Sequence, residues 1–115
     1  MNLDEYQRRA MRTLDPQEAP TLAPEIDKAA LIHGALKLAG EAGEVADLVG
    51  KWRGQGHPLN VEAIAEELGD LLWHLAEVAT AIGYPLGGIA IANLDKLSRR
   101  YPAGFEANRS IDRDI

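Results

Sequence analysis

Residues 31–52, LIHGALKLAGEAGEVADLVGKW, and residues 61–82, VEAIAEELGDLLWHLAEVATAI, each carry an unbroken apolar seam. In the first, Leu31, Ala35, Leu38, Ala42, Val45, Val49 and Trp52 alternate spacings of four and three. In the second, Val61, Ile64, Leu68, Leu71, Leu75, Val78 and Ile82 alternate three and four. This period lines one side of a helix and suits side-by-side packing, the seam residues taking the a and d positions of a heptad. Gly54, Gly56 and Pro58 break the first pattern, and Asn60 can cap the second. With so short a link, helices over about 26–52 and 61–82 form an antiparallel hairpin.

Outward from the hairpin the signals are weaker but consistent. Leu3, Tyr6, Ala10 and Leu14 share a stripe, with Met11 beside it, predicting a helix over 3–14 that ends at Asp15-Pro16. Pro16, Pro20 and Pro24 make the next ten residues a loop. Gly83 and Pro85 precede a fourth helix over 86–100, closed by Tyr101-Pro102-Ala103-Gly104, and the last ten residues read as an extended tail. The expected fold is all-α: one domain over 1–115 with a four-helix-bundle-type core. Leu36, Leu48, Leu72 and Ala79 lie off the seams and need partners, so the bundle is expected to be completed by oligomerisation.

Composition narrows the function classes. The 115 residues are 46% hydrophobic but only 5% aromatic, so the core must be built from Ala, Leu, Ile and Val. No cysteine is present, which removes disulfides, zinc–thiolate sites and thiol nucleophiles. A net charge of −6 argues against binding nucleic acid duplexes. The start, Met1-Asn2-Leu3-Asp4-Glu5, lacks the features of a signal peptide, and no run approaches the roughly 20 apolar residues of a membrane span. A cytoplasmic protein without membrane contact is the expectation.

Four acids stand out on the hairpin. Glu41 and Glu44 directly precede seam residues Ala42 and Val45; Glu67 and Asp70 directly precede Leu68 and Leu71. Each pair is three apart, hence on one helix face, and both pairs take g and c positions. Folding the hairpin at Gly54–Gly56 puts both pairs at the same height, roughly 18–20 Å from the turn at 1.5 Å per residue. Four converging carboxylates repel one another unless a hard cation lies among them, and all-oxygen ligation suits Mg²⁺, with Mn²⁺ as a substitute. Gly40, Gly43 and Gly69 beside these acids each cost a helix up to about 1 kcal/mol, which close approach by a ligand or another helix would explain. The plainer alternative is a solvated acidic face. A di-iron centre would need Glu-x-x-His pairs, and no histidine lies three after a glutamate. His74, four after Asp70, reads as a core or surface histidine or as a support behind the acids.

The runs Gly40-Glu41-Ala42-Gly43-Glu44-Val45 and Glu66-Glu67-Leu68-Gly69-Asp70-Leu71-Leu72-Trp73 resemble the MazG-like branch of the all-α nucleoside triphosphate pyrophosphohydrolases. That family's motif, Glu-x-x-Glu followed by Glu-x-x-Asp, is met without departure. The resemblance extends to Tyr6-Gln7, Arg12-Thr13, Lys51-Trp52, Asn93-Leu94-Asp95-Lys96-Leu97 and Arg100 to Phe105. It implies Mg²⁺-dependent hydrolysis of a (deoxy)nucleoside triphosphate between the α and β phosphates, as nucleotide-pool house-cleaning. By the same resemblance Glu41 is the base, with Glu41, Glu44, Glu67 and Asp70 around two or three metal ions, in a homodimer or homotetramer.

The far phosphates need cations. Asn93, Lys96 and Arg100 share one face of the fourth helix, and Lys51 lies two to three turns beyond the acid pair. Helix-end Lys and Arg also complement the helix dipole without any ligand. Trp73, three after Asp70, either stacks on a base or packs in the core. Gln7 and Arg12 are further candidates to reach the pocket, while Tyr101 and Phe105 would pin the tail. The rival readings are a non-catalytic helical interaction module and a related enzyme for a specialised substrate such as phosphoribosyl-ATP or dUTP.

Overall fold

The structure, a computed structural model, describes residues 1–15, 26 and 28–112. They form α1 (Leu3–Met11), α2 (Lys28–Gly54), α3 (Val61–Ala81), α4 (Leu86–Arg100) and α5 (Ala107–Ile111), with no strand among them. The proline-rich loop expected at 16–24 lies outside the described residues. The expected extended tail is corrected by α5. Its Arg109 donates from Nη2 to Arg99 O (3.0 Å) and from Nε to Arg100 O, satisfying carbonyls that the end of α4 leaves open. No single helix among the described residues is long and apolar enough to cross a membrane.

Local chemistry sets the helix ends. Asn2 and Asn60 cap α1 and α3, their side-chain oxygens accepting from Glu5 N (2.8 Å) and Ala63 N (3.0 Å). Gly83, at φ 77°, ends α3 in a left-handed turn. Gly83 N donates to Thr80 O and Tyr84 N to Ala79 O, the paired bonds of a Schellman motif. α1 stops three residues short of expectation, because the amides of Arg12, Thr13 and Leu14 bond three residues back and tighten the chain into turns. The N-terminus of α4 has no cap of its own. Instead α1 reaches across: Gln7 Oε1 accepts from Leu86 N (2.9 Å) and Asp4 Oδ1 from Gly87 N (2.7 Å).

α2 and α3 lie side by side, with residue 34 level with 77 and residue 41 close to 74, so they run in opposite directions. Their contact face is not the expected seam. The a residues Ala35, Ala42, Val49, Val61, Leu68 and Leu75 are exposed, Leu68 by 50% and Leu75 by 42%. Half-buried or buried instead are the d residues Leu38, Val45, Ile64, Leu71 and Val78 together with the g residues Gly34, Glu41, Leu48, Glu67, His74 and Ala81. The physical reason lies at Gly34. A Cβ there would come within 3.0 Å of Glu77 and 3.1 Å of Val78, so the missing side chain lets the g flank of α2 press against α3. At 100° per residue Glu41 lies about 20° from the direction Gly34 faces, and Ala42 about 80° away.

The apolar core sits at the other end of α3. Ala76, Ala79 and Leu86 are buried there with Tyr6 and Met11 packed against them, and Ala10 and Leu14 are buried nearby. It is a core of small aliphatic side chains, as the composition requires. α4 then leaves α3 at a 97° bend and packs on α1 and the end of α3, not along α2. The four helices therefore do not close a bundle within one chain. The radius of gyration, 17.2 Å, exceeds the roughly 13 Å of a compact domain this long.

Candidate metal centre

Moving the interface onto the g positions draws two acids between the helices. Glu41 on α2 and Glu67 on α3 are both half-buried, and Asp70 lies one turn along α3 at the rim. One oxygen from each of these three lies within 4.8 Å of the others. Glu44 does not join them. It stands about 80° from the direction Gly34 faces, beyond the contact with α3, and is exposed. The expected quartet is thus a cluster of three with Glu44 at its edge, close enough for its charge to act on Glu67.

The electrostatics of the cluster follow from its crowding. Glu67 titrates above the ordinary carboxylate range, first through a hydrogen bond with Glu41, then through burial and the charges of Glu41, Asp70 and Glu44. Repulsion makes carboxyl groups this close favour retaining a proton, which is the direction of the Glu67 shift. A divalent cation would relieve the same repulsion, and an all-oxygen donor set of this charge suits Mg²⁺ or Mn²⁺. The residues fit the metal. Burial pushes the Tyr6 hydroxyl upward, and the charge of Asp70 adds to the shift, which places α1 beside the same region.

The other candidates are dispersed. Lys51 Nζ lies 2.8 Å from Asp47 Oδ2 on α2; that bond first, then the Asp47 charge, raises its pKa, burial opposes them, and the Glu44 charge adds least. Trp73 is tied to α1, its indole N–H donating to Thr13 Oγ1 (2.9 Å) and Ala10 O (3.2 Å). Gln7 is committed to the junction of α1, α3 and α4, donating from Nε2 to Thr80 Oγ1 and Tyr84 O (3.0 Å each), so it does not reach the acids. Asn93 and Lys96 line an open cavity of about 380 Å³ with Tyr84, Ile89 and Arg99. Arg100 is half-buried near the end of α4. Helix rise and the 97° bend put Asn93, Lys96 and Arg100 roughly 18–28 Å from the α3 acids of the same chain, Arg100 farthest.

Sequence reasoning passed over Glu77. It is fully buried at 0% exposure, with Oε1 3.0 Å from His74 Nδ1 and Oε2 3.6 Å from His33 Nδ1. His74 Nε2 in turn lies 3.9 Å from Glu41 Oε1. The available signal was Gly34 at the same level, flanked in sequence by His33: a gap opposite a glutamate with a histidine on each helix.

A family model, the MazG nucleotide pyrophosphohydrolase domain, matches residues 33–105, more than half of the chain. The match holds all four motif acids, His33, His74, Glu77 and the polar face of α4. No curated protein and no solved structure matches the chain.

Proposed function

Because the chain belongs to the MazG nucleotide pyrophosphohydrolase family, we propose that it hydrolyses a nucleoside or deoxynucleoside triphosphate to the monophosphate and pyrophosphate, with Mg²⁺ at Glu41, Glu67 and Asp70. The observation that carries this reading is the convergence of those three carboxylates from two helices to within 4.8 Å. Glu44, at the edge of the cluster, would be a fourth ligand. A divalent cation bound there supplies neutralisation of phosphate charge and a more acidic water.

The side chains do the rest. Glu41, half-buried on α2, accepts a proton from the attacking water. The water oxygen bonds to the α-phosphorus, the bond from that phosphorus to the α–β bridging oxygen breaks, and pyrophosphate leaves with the electron pair. Lys51, near Glu44, is placed for a phosphate, while Trp73 holds α1 beside the site and leaves a ring face for a base. Asn93, Lys96 and Arg100 take the remaining phosphate charge from a neighbouring copy in a dimer or tetramer. Three features support that assembly: the exposed a-position stripe, the open shape and the distance from α4 to the acids.

The test is product analysis on a panel of NTPs and dNTPs, including dUTP and phosphoribosyl-ATP, with Mg²⁺ or with EDTA. Monophosphate plus pyrophosphate, abolished by EDTA and in Asp70→Asn, is the expected result. Diphosphate plus phosphate would sink α–β cleavage. No turnover and no Mg²⁺ binding by a folded protein would instead make the chain an interaction module. Light scattering of the same sample checks the assembly, since a monomer would leave α4 out of the site.

A further inference from the structure

A fully buried glutamate is costly unless something demands it, and the acid cluster makes no direct use of Glu77. What Glu77 does is fix a histidine. An ionised carboxylate only accepts hydrogen bonds, so with Glu77 in that form His74 Nδ1, 3.0 Å from Glu77 Oε1, carries the ring proton. Nε2 therefore points the other way, towards Glu41. The ring has little freedom. Trp73 packs edge-on against it at 5.0 Å and 85°, and His33 stands against the far oxygen of Glu77 at 3.6 Å. Gly34 leaves the space that lets Glu77 lie at this level.

The two groups facing each other are His74 Nε2 and Glu41 Oε1, 3.9 Å apart. That is too long for a hydrogen bond. It is within the roughly 4.2 Å that two ligands of one small divalent cation can span, at about 2.1 Å each. A histidine that donates its second ring N–H to a carboxylate is the usual arrangement of a metal-bound imidazole. From this we infer that His74 is a nitrogen ligand to a divalent cation held at Glu41, with Glu77 as its positioning residue.

The inference rests on the reading of Glu41, Glu67 and Asp70 as a metal centre; His74 meets that centre at Glu41 alone, outside the span within which the three acids converge, and offers a nitrogen donor on that side. Its consequence is metal choice: an imidazole favours Mn²⁺ and later transition ions over Mg²⁺. The site then binds Mn²⁺ more tightly than four carboxylates alone would suggest.

The experiment is a Mn²⁺ titration of the full chain without nucleotide, followed by pulsed electron paramagnetic resonance for nitrogen coupling to the bound ion. The expected result is a nitrogen signal that changes when histidine is isotopically labelled, is lost in His74→Gln, and persists in His33→Gln. Glu77→Gln should weaken Mn²⁺ binding by roughly 10–100-fold, since the ring is no longer held by a carboxylate. The labelling arm uses the unaltered protein and stands even if a variant fails to fold. Bound Mn²⁺ with no nitrogen coupling overturns the inference and leaves the carboxylate centre intact. No bound Mn²⁺ at all overturns the metal centre and this inference with it.

Discussion

The two ends of α3 follow opposite rules. Its C-terminal end, at Ala76, Ala79 and Ala81, is dry and built from small side chains. Of the two large polar groups buried there, Gln7 has its amide nitrogen and oxygen both hydrogen-bonded, while Glu77 turns away from the apolar side chains towards His74 and His33. Its middle, at Glu67, Asp70 and His74, is more open, and the crowding of acids there raises the pKa of Glu67. One end spends its side chains on holding three helices together. The other leaves a charge problem unsolved by the protein alone. That contrast teaches where to expect stability and where to expect chemistry: a group satisfied within the chain is structural, and one satisfied at the expense of an ordinary pKa awaits a ligand.

Substitutions at the two ends should therefore separate. The largest effect belongs to Glu41→Gln, expected to lower kcat about 10²–10⁴-fold while leaving the metal-free melting temperature the same or higher. Pyrophosphate release and calorimetry on one sample would check it, and a collapse of stability would break the contrast. Next comes Gln7→Ala at the dry end. It leaves Leu86 N and Tyr84 O without the Gln7 side chain and should cost about 1–3 kcal/mol in urea unfolding, with Mn²⁺ affinity unchanged.

A smaller effect is expected at Gly69, where an added Cβ meets nothing within 4 Å. Gly69→Ala should stabilise α3 by about 0.5–1 kcal/mol. If activity falls while stability rises, the open space beside Asp70 serves a ligand or a second copy. The smallest effect is a pH slope. Glu67 has a raised pKa in the folded state, so the folded protein holds more protons than the unfolded chain between the ordinary carboxylate pKa and the raised value. Stability of the metal-free protein should fall as pH rises through that window and level off above it. Saturating Mg²⁺ or Glu67→Gln should flatten the slope, and a slope that survives both would place its origin elsewhere.

The same contrast explains what could be read from the sequence. Helix ends at Asn60 and Gly83 are local events, governed by one side chain or one φ angle, and were legible. Heptad periodicity placed the acids at the right height, because height depends only on where the hairpin turns. It placed the seam about one heptad position away from the real contact. An apolar a residue and a polar g residue sit side by side on a helix, and only the gap at Gly34 and the burial of Glu77 favour the g side. Those are facts about a pair of helices rather than about either sequence. α5 was missed for a similar reason: its five residues have no strong periodicity, and Arg109 contributes only once the end of α4 is in place.

The hydrogen bonds by which Gln7 and Asp4 cap α4 join residues 79 and 83 positions apart. Such a contact closes a long loop, and closure entropy must be overcome before it contributes anything. It belongs to the late side of the folding barrier, after α2 and α3 have paired through nearer contacts. Kinetically, α1 acts as a clasp. Amides at the start of α4 should exchange with solvent in step with those of α1, so that loosening either helix releases both while the acid-bearing pair stays paired.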